Sequence, residues 1–153
     1  MIVFRLSKSR YSHDLSGKGA EKTGGRWNSK GIAMVYTSES RALCTAEIAV
    51  HTPLGILPKD FELVTIEIPD TIKILELNHN DLPTDWKSIP HSGTTQELGD
   101  GFVKENKYAV LKAPSAVVYG DFNYLINPHH VNAKKVKLIK VESFVFDQRL
   151  FLK

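Results

Sequence analysis

Gly24 to His51 reads GGRWNSKGIAMVYTSESRALCTAEIAVH, and its three parts ask for three kinds of local structure. Gly24-Gly25 permits positive φ or close backbone approach, and Asn28-Ser29-Lys30-Gly31 is a second punctuation, so Arg26-Trp27 is displayed between two breaks. Ile32 to Thr37 (IAMVYT) has the length and the β-branched and aromatic content of a buried strand that ends near Tyr36. Ser38 can cap a helix from Glu39 to about Val50, which contains no glycine or proline and stops before Thr52-Pro53. Leu43, Ala46, Glu47 and Val50 recur at i, i+3, i+4 and i+7, so the pattern puts Glu47 on the core-facing stripe. A carboxylate there is costly unless it is partnered. Either Arg26 or Arg41 pairs with it for structural reasons, or its charge is used at a site. The expectation is that Arg26, Tyr36 and Glu47 meet in one pocket.

Around this stretch the chain reads mostly as strands. Ile2 to Leu6 is a first strand with Arg5 near its end, and Ser7 to Lys22 is a long polar loop of the kind that carries function. Phe61 to Ile68 and Ile72 to Leu77 are strand-like runs separated by Pro69-Asp70 and expected to pair as a hairpin. Asn78 to Gly93 reads as surface loop with at most one helical turn. Thr94 to Asn106 opens on Thr94-x-x-Glu97, a capping-box pattern, although Gly99 and Gly101 weaken that helix. Tyr108 to Leu111, Ser115 to Tyr119 and Val136 to Phe146 complete the strands. The class expected is α+β: a single domain over 1–153 with a mixed, mostly antiparallel sheet and a few helices, its only clear strand-helix-strand unit lying around Glu47.

Composition excludes several classes. The chain of 153 residues is 42% hydrophobic and 24% charged, which is ordinary for a globular domain with a sizeable core. One cysteine, Cys44, cannot form an internal disulfide and reads as a packed small hydrophobe. The first residues lack the apolar stretch of a signal peptide, and no run is long enough to span a bilayer, so a cytoplasmic protein without membrane contact is expected. The net charge of +3 is carried by scattered residues apart from Lys134-Lys135-Val136-Lys137, which does not make a nucleic-acid footprint.

Ser115 and Asn127 each neighbour a proline in APSAVVYGDFNYLINP (Ala113 to Pro128), where turn residues are common. No G-x-S-x-G elbow, P-loop or G-x-G-x-x-G occurs, and His129-His130 are adjacent rather than spaced as zinc ligands, so no metal site is expected. What remains is one carboxylate with an arginine, a tyrosine and a serine. Ordinary glycoside hydrolysis uses two carboxyl groups because the leaving alkoxide must be protonated. One suffices where the leaving group departs neutral, as nicotinamide does from NAD⁺. A glutamate would then oppose the positive charge on the ribose, an arginine would clamp the pyrophosphate, and a tyrosine face would stack on the nicotinamide or ribose.

These residues stand in an ordered series: Phe4-Arg5, Leu15-Ser16-Gly17-x-Gly19-Ala20, Gly24-Gly25-Arg26-Trp27-Asn28, Val35-Tyr36-Thr37-Ser38, Ala46-Glu47 with His51, Thr95-Gln96-x-Leu98-Gly99-Asp100, Pro114-Ser115-Ala116, and Asn123-Tyr124-Leu125-Ile126-Asn127-Pro128-x-His130. Over nearly its whole length the sequence resembles the RES-domain proteins, the toxin halves of bacterial RES/Xre toxin-antitoxin pairs. The resemblance implies a fold like that of the ADP-ribosyltransferase toxins and an activity that degrades NAD⁺ as a glycohydrolase or phosphorylase. NAD⁺ is the substrate, inorganic phosphate is a candidate co-substrate, and no prosthetic group is implied. Arg26 and Tyr36 would bind NAD⁺, Glu47 would be the catalytic carboxylate, and Ser115 would hydrogen-bond the nicotinamide ribose or the acceptor. Arg5, Trp27, Asn28 and Asn127 would line the pocket. An Xre-type antitoxin would occlude the site, within a complex that holds two or more toxin chains. Three further readings stay open: a mono-ADP-ribosyltransferase acting on a protein with the same pocket, a non-catalytic nucleotide-binding domain, and an RNA-cleaving toxin.

Overall fold

The structure is a computed structural model that describes residues 1–153. Seven strands make one sheet: β1 (Ile2–Lys8), β2 (Val35–Ser38), β3 (Phe61–Glu67), β4 (Ile74–Glu76), β5 (Val110–Pro114), β6 (Phe122–Ile126) and β7 (Lys137–Phe144). Three helices accompany them: α1 (Lys18–Thr23), α2 (Arg41–His51) and α3 (Gly93–Glu105). The strand order is β4-β5-β6-β2-β1-β3-β7, and every pairing is antiparallel except β4 with β5. The mixed, mostly antiparallel α+β class is the one observed.

The sheet has a seam. β1 and β3 pair along their full length, from Ile2↔Glu67 to Lys8↔Phe61, whereas β1 and β2 share the single pair Phe4↔Ser38. Two half-sheets, β4-β5-β6-β2 and β1-β3-β7, are thus joined by one rung and diverge beyond it. Their facing sides bury one cluster that includes Val3, Val35, Val64, Ile66, Val110 and Ile126. Because side chains alternate along a strand, the neighbours of these residues face outward. Leu111, Ala113 and Leu125 pack beneath α3 residue Phe102 and Trp27. Leu6 and Leu63 pack with Cys44 of α2 and with Phe146 and Phe151 of the C-terminal segment. Strands covered on both faces read as apolar runs, which made β1, β2 and β3 recognisable, whereas β6 was not read as a strand from the sequence.

Several expectations are corrected. β3 and β4 do not form a hairpin: β3 lies between β1 and β7, while β4 pairs in parallel with β5 at the far edge. A parallel pair needs a crossover, and α3 provides it, so β4-α3-β5 is a second strand-helix-strand unit beside β2-α2-β3. Ser115 to Tyr119 is a turn, not a strand, and Lys112–Pro114 belong to β5. The loop from Ser7 to Lys22 holds the end of β1, a 3₁₀ turn at Ser9–Tyr11 and most of α1. The cap of α2 is Ser40, whose Oγ accepts from the Leu43 N–H at 3.0 Å, so the helix starts two residues later than expected. Ser92 stands at the N-terminus of α3, and Thr94 hydrogen-bonds to Asp85 at 2.8 Å instead of forming a capping box with Glu97.

Candidate active site

Ser38 of β2 and Asn123 of β6 stand directly opposite each other. On that same face of β2 lies Tyr36, two residues earlier. α2 runs back across β1, and Glu47, in its second turn, reaches this patch. Glu47 Oε1 accepts from Asn123 Nδ2 at 2.8 Å and from Ser115 Oγ at 3.2 Å. The other end of the Asn123 amide, Oδ1, accepts from Ser38 Oγ at 2.8 Å. Ser115 Oγ also accepts the N–H groups of Val117 and Val118, both at 3.0 Å, which folds the turn after β5 around the hydroxyl.

Glu47 therefore has two neutral donors and no ion pair. Arg41 lies over the Phe4 ring, 4.9 Å from its centroid, so it is not the partner. Arg26 donates Nη1 to the backbone carbonyls of Trp86 at 2.7 Å and Ser88 at 3.2 Å. Partial burial holds the Arg26 guanidinium below its ordinary range, while the charges of Glu47 and Tyr36 act the other way. Of the stripe read from the sequence, Leu43 is buried and Glu47 half-buried, but Val50 is 58% exposed; Cys44 and Ile48 take its place against the core.

The turn that presents Arg26 is held from three sides. The Tyr36 hydroxyl donates to Asn28 Oδ1 at 2.6 Å and accepts the Trp27 N–H at 3.1 Å. Burial pushes the Tyr36 phenol well above its ordinary range. Gly25 is required here, since a Cβ would meet the Tyr36 hydroxyl at 2.7 Å. From α3, Gln96 Nε2 donates to the carbonyls of Gly25 at 3.0 Å and Asn28 at 3.2 Å, and Asp100 Oδ1 accepts the Ser29 N–H at 2.9 Å. The Gln96, Gly99 and Asp100 series is thus a cradle for the arginine turn.

The residues named from sequence divide accordingly. Arg26, Tyr36, Glu47 and Ser115 gather around the β2-β6 face. Arg5 stands in a cavity of about 130 Å³ that Tyr36 also lines, at the point where β1 and β2 diverge, and donates to the Asp14 carbonyl. Trp27, Asn28 and Asn127 are buried in the scaffold. Trp27 is 2% exposed in the core, and Asn28 and Asn127 are fully buried. Asn28 Nδ2 ties the carbonyls of Ala20 and Ile32, while Asn127 Oδ1 accepts the His129 N–H at 3.0 Å and its Nδ2 donates to Asn106 Oδ1 at 2.9 Å, so both hold local structure together. A cavity of about 370 Å³ opens beside Val35 and Ile126 on the opposite face of β2 and has no carboxylate in its wall. Asn123 and Ser38 were missed from sequence. The available signal was a polar residue in register with Leu125 on an otherwise apolar strand face.

Comparison with known proteins identifies the relatives of the chain. Residues 2–147 match the family described as the RES domain. A protein from Sphingobium sp. (strain YBL2) named Prs ADP-ribosylating toxin is 39% identical over 142 residues, 92% of this chain and 88% of its own length. Proteins named Toxin Res from Yersinia enterocolitica and Pseudomonas putida are 36% and 38% identical over 98% and 99% of this chain, and 99% and 100% of their own lengths. Among solved structures, a chain of the M. tuberculosis MbcT-MbcA toxin-antitoxin complex superposes with a TM-score of 0.76 at 20% identity, covering 94% of this chain and 84% of that one, which is a likeness of fold. With the family match over nearly the full chain and these relatives beside it, the protein belongs to the RES domain family.

Proposed function

We propose that this protein is the toxin of a toxin-antitoxin pair and that it consumes NAD⁺ by breaking the bond between nicotinamide and ribose. The observation that carries the reading is Glu47: a half-buried carboxylate held by an amide and a hydroxyl, in no direct ion pair. In the reaction the glycosidic electron pair passes to the pyridinium nitrogen, nicotinamide leaves neutral, and positive charge grows on the ribose. A carboxylate whose negative charge is intact stabilises that transition state more than the ground state. Arg26 supplies the fixed cation for the pyrophosphate after exchanging its carbonyl partners, and the ring of Tyr36 supplies a face for stacking. Arg5 lies close enough to Tyr36 to contribute a second cation. The acceptor is water or inorganic phosphate, and no prosthetic group takes part. An Xre-type antitoxin is the proposed partner, covering this face within a complex of two or more toxin chains in the cytoplasm.

One observation favours a second reading. The Sphingobium relative is named an ADP-ribosylating toxin, which makes a protein side chain the alternative acceptor at the same pocket. The test is product analysis by chromatography and mass spectrometry after mixing purified protein with NAD⁺, with and without phosphate, beside Glu47→Gln. Free nicotinamide with ADP-ribose or its phosphorylated form supports the leading reading. Biotinylated NAD⁺ that labels a discrete band in lysate supports the second. A folded, antitoxin-free protein that yields neither overturns both and leaves a nucleotide-binding domain.

A further inference from the structure

We infer that Asn123 and Ser115 are positioning residues that commit one oxygen of Glu47 to the fold and leave the other as the working oxygen. The inference rests on the reaction proposed above.

Both donors to the carboxylate land on Oε1, and none reaches Oε2. The orientation of the Asn123 amide is set by chemistry. Ser38 Oγ directs its hydrogen to Oδ1, which turns the NH₂ group toward Glu47, and the directly opposed register of Ser38 and Asn123 fixes the distance. Ser115 is 2% exposed. Its oxygen accepts two backbone N–H groups, so its single proton goes to the carboxylate, and it has no surface to offer a substrate. Asn123 follows a different logic from its strand neighbour Leu125, which is fully buried in the core. An amide is poorly suited to a strand, and here it does what no apolar residue can.

The consequence for chemistry is specific. A carboxylate anchored through one oxygen cannot swivel, so its remaining lone pairs keep one direction before substrate arrives. Neutral donors anchor the group without cancelling its charge, as a lysine or arginine would. Ser115 thus acts through Glu47 rather than by touching ribose or acceptor.

The experiment measures nicotinamide release and, by calorimetry, NAD⁺ affinity for wild type, Asn123→Ala, Asn123→Asp, Ser38→Ala and the Ser38→Ala/Asn123→Ala double variant. Asn123→Ala is expected to lower kcat about tenfold to a hundredfold, the range for losing a hydrogen bond to a charged group, with the dissociation constant within about threefold. Asn123→Asp places a second carboxylate against Oε1 and falls further. Ser38→Ala costs less and adds nothing in the Asn123→Ala background, because it works only through the amide. Wild-type kcat in Asn123→Ala, an equal loss of affinity and rate, or a fully additive Ser38→Ala effect overturns the inference. Ser38→Ala read alone keeps the test open should Asn123→Ala fail to fold. If wild type itself releases no nicotinamide and labels no protein, the NAD⁺ reading fails separately. The crystal structure of Asn123→Ala, or of Ser38→Ala, then decides: a carboxylate swung away from Ser115 supports the positioning role, and one still in place overturns it.

Discussion

Glu47 and Cys44 sit one turn apart on α2 and show how differently the same helix treats two ionisable groups. The Glu47 carboxylate is held by two neutral donors, so Glu47→Gln preserves an acceptor oxygen for Asn123 and Ser115 while removing the carboxylate. Turnover should fall by a factor of about a hundred or more with the fold and NAD⁺ affinity retained, read by initial rates and calorimetry. A loss of affinity with unchanged kcat would count against the role. The Cys44 thiol is pushed up to about 11 by burial, although contacts with Ser38 and the Leu6 backbone pull the other way. A raised value in the folded state means that stability is full below the ordinary 9.0 and declines as pH climbs toward about 11, since the unfolded chain ionises first. Chemical denaturation across that interval should show the decline in wild type and a smaller one in Cys44→Ala. Alkylation of the native thiol at neutral pH should be slow compared with the unfolded chain.

At the scale of elements, α3 was legible as a helix but misread in detail. Its two inner glycines look alike in sequence, both lowering helix propensity, yet their surroundings differ. A Cβ on Gly99 would stand 1.6 Å from the Trp27 carbonyl oxygen, while one on Gly101 would meet nothing within 4 Å. Gly99→Ala should therefore lift α3 off the arginine turn and cost several times the roughly 1–3 kcal/mol of ordinary overpacking. Gly101→Ala should stabilise the protein by about 0.5–1 kcal/mol through helix propensity alone. Urea unfolding of the pair separates the two, and a Gly99→Ala variant as stable as wild type would contradict the packing described.

This contrast marks what a sequence can disclose. Tyr36 and Glu47 were visible because their positions follow from local periods, two for a strand and 3.6 for a helix. Asn123, Gln96 and Asp100 act through partners 68 to 76 positions away, and no local rule reports a partner. The mistaken β3-β4 hairpin has the same origin: Pro69-Asp70 signals a turn, but which strands pair is decided by the core on both faces of the sheet. Trp27, Asn28 and Asn127 were expected beside a ligand only from the family resemblance, whereas burial gives them to the scaffold.

For the whole molecule, the outer face of the β1-β3 half-sheet depends on the C-terminal segment. Phe146 stacks edge-to-face with Phe61, Phe144 and Phe151 at centroid distances of 5.3, 5.0 and 5.3 Å. Phe151, 3% exposed, closes the cluster that also seats Cys44 of α2. Phe151→Ala should cost about 3–5 kcal/mol in urea unfolding with little change in slope, and should loosen α2 as measured by hydrogen exchange. No helix is long and apolar enough to cross a membrane.

The hydrogen bonds that fasten Glu47 join it to Ser115 and Asn123, 68 and 76 positions downstream. Synthesis runs from the N-terminus, so a ribosome that has completed α2 has made the carboxylate but neither of its anchors. At the usual 5–20 residues per second, roughly 4–15 s pass before β6 exists to assemble them. Until then the carboxylate stands without the two donors that hold it in the folded protein. The Glu47 cluster is therefore assembled in one late step of synthesis.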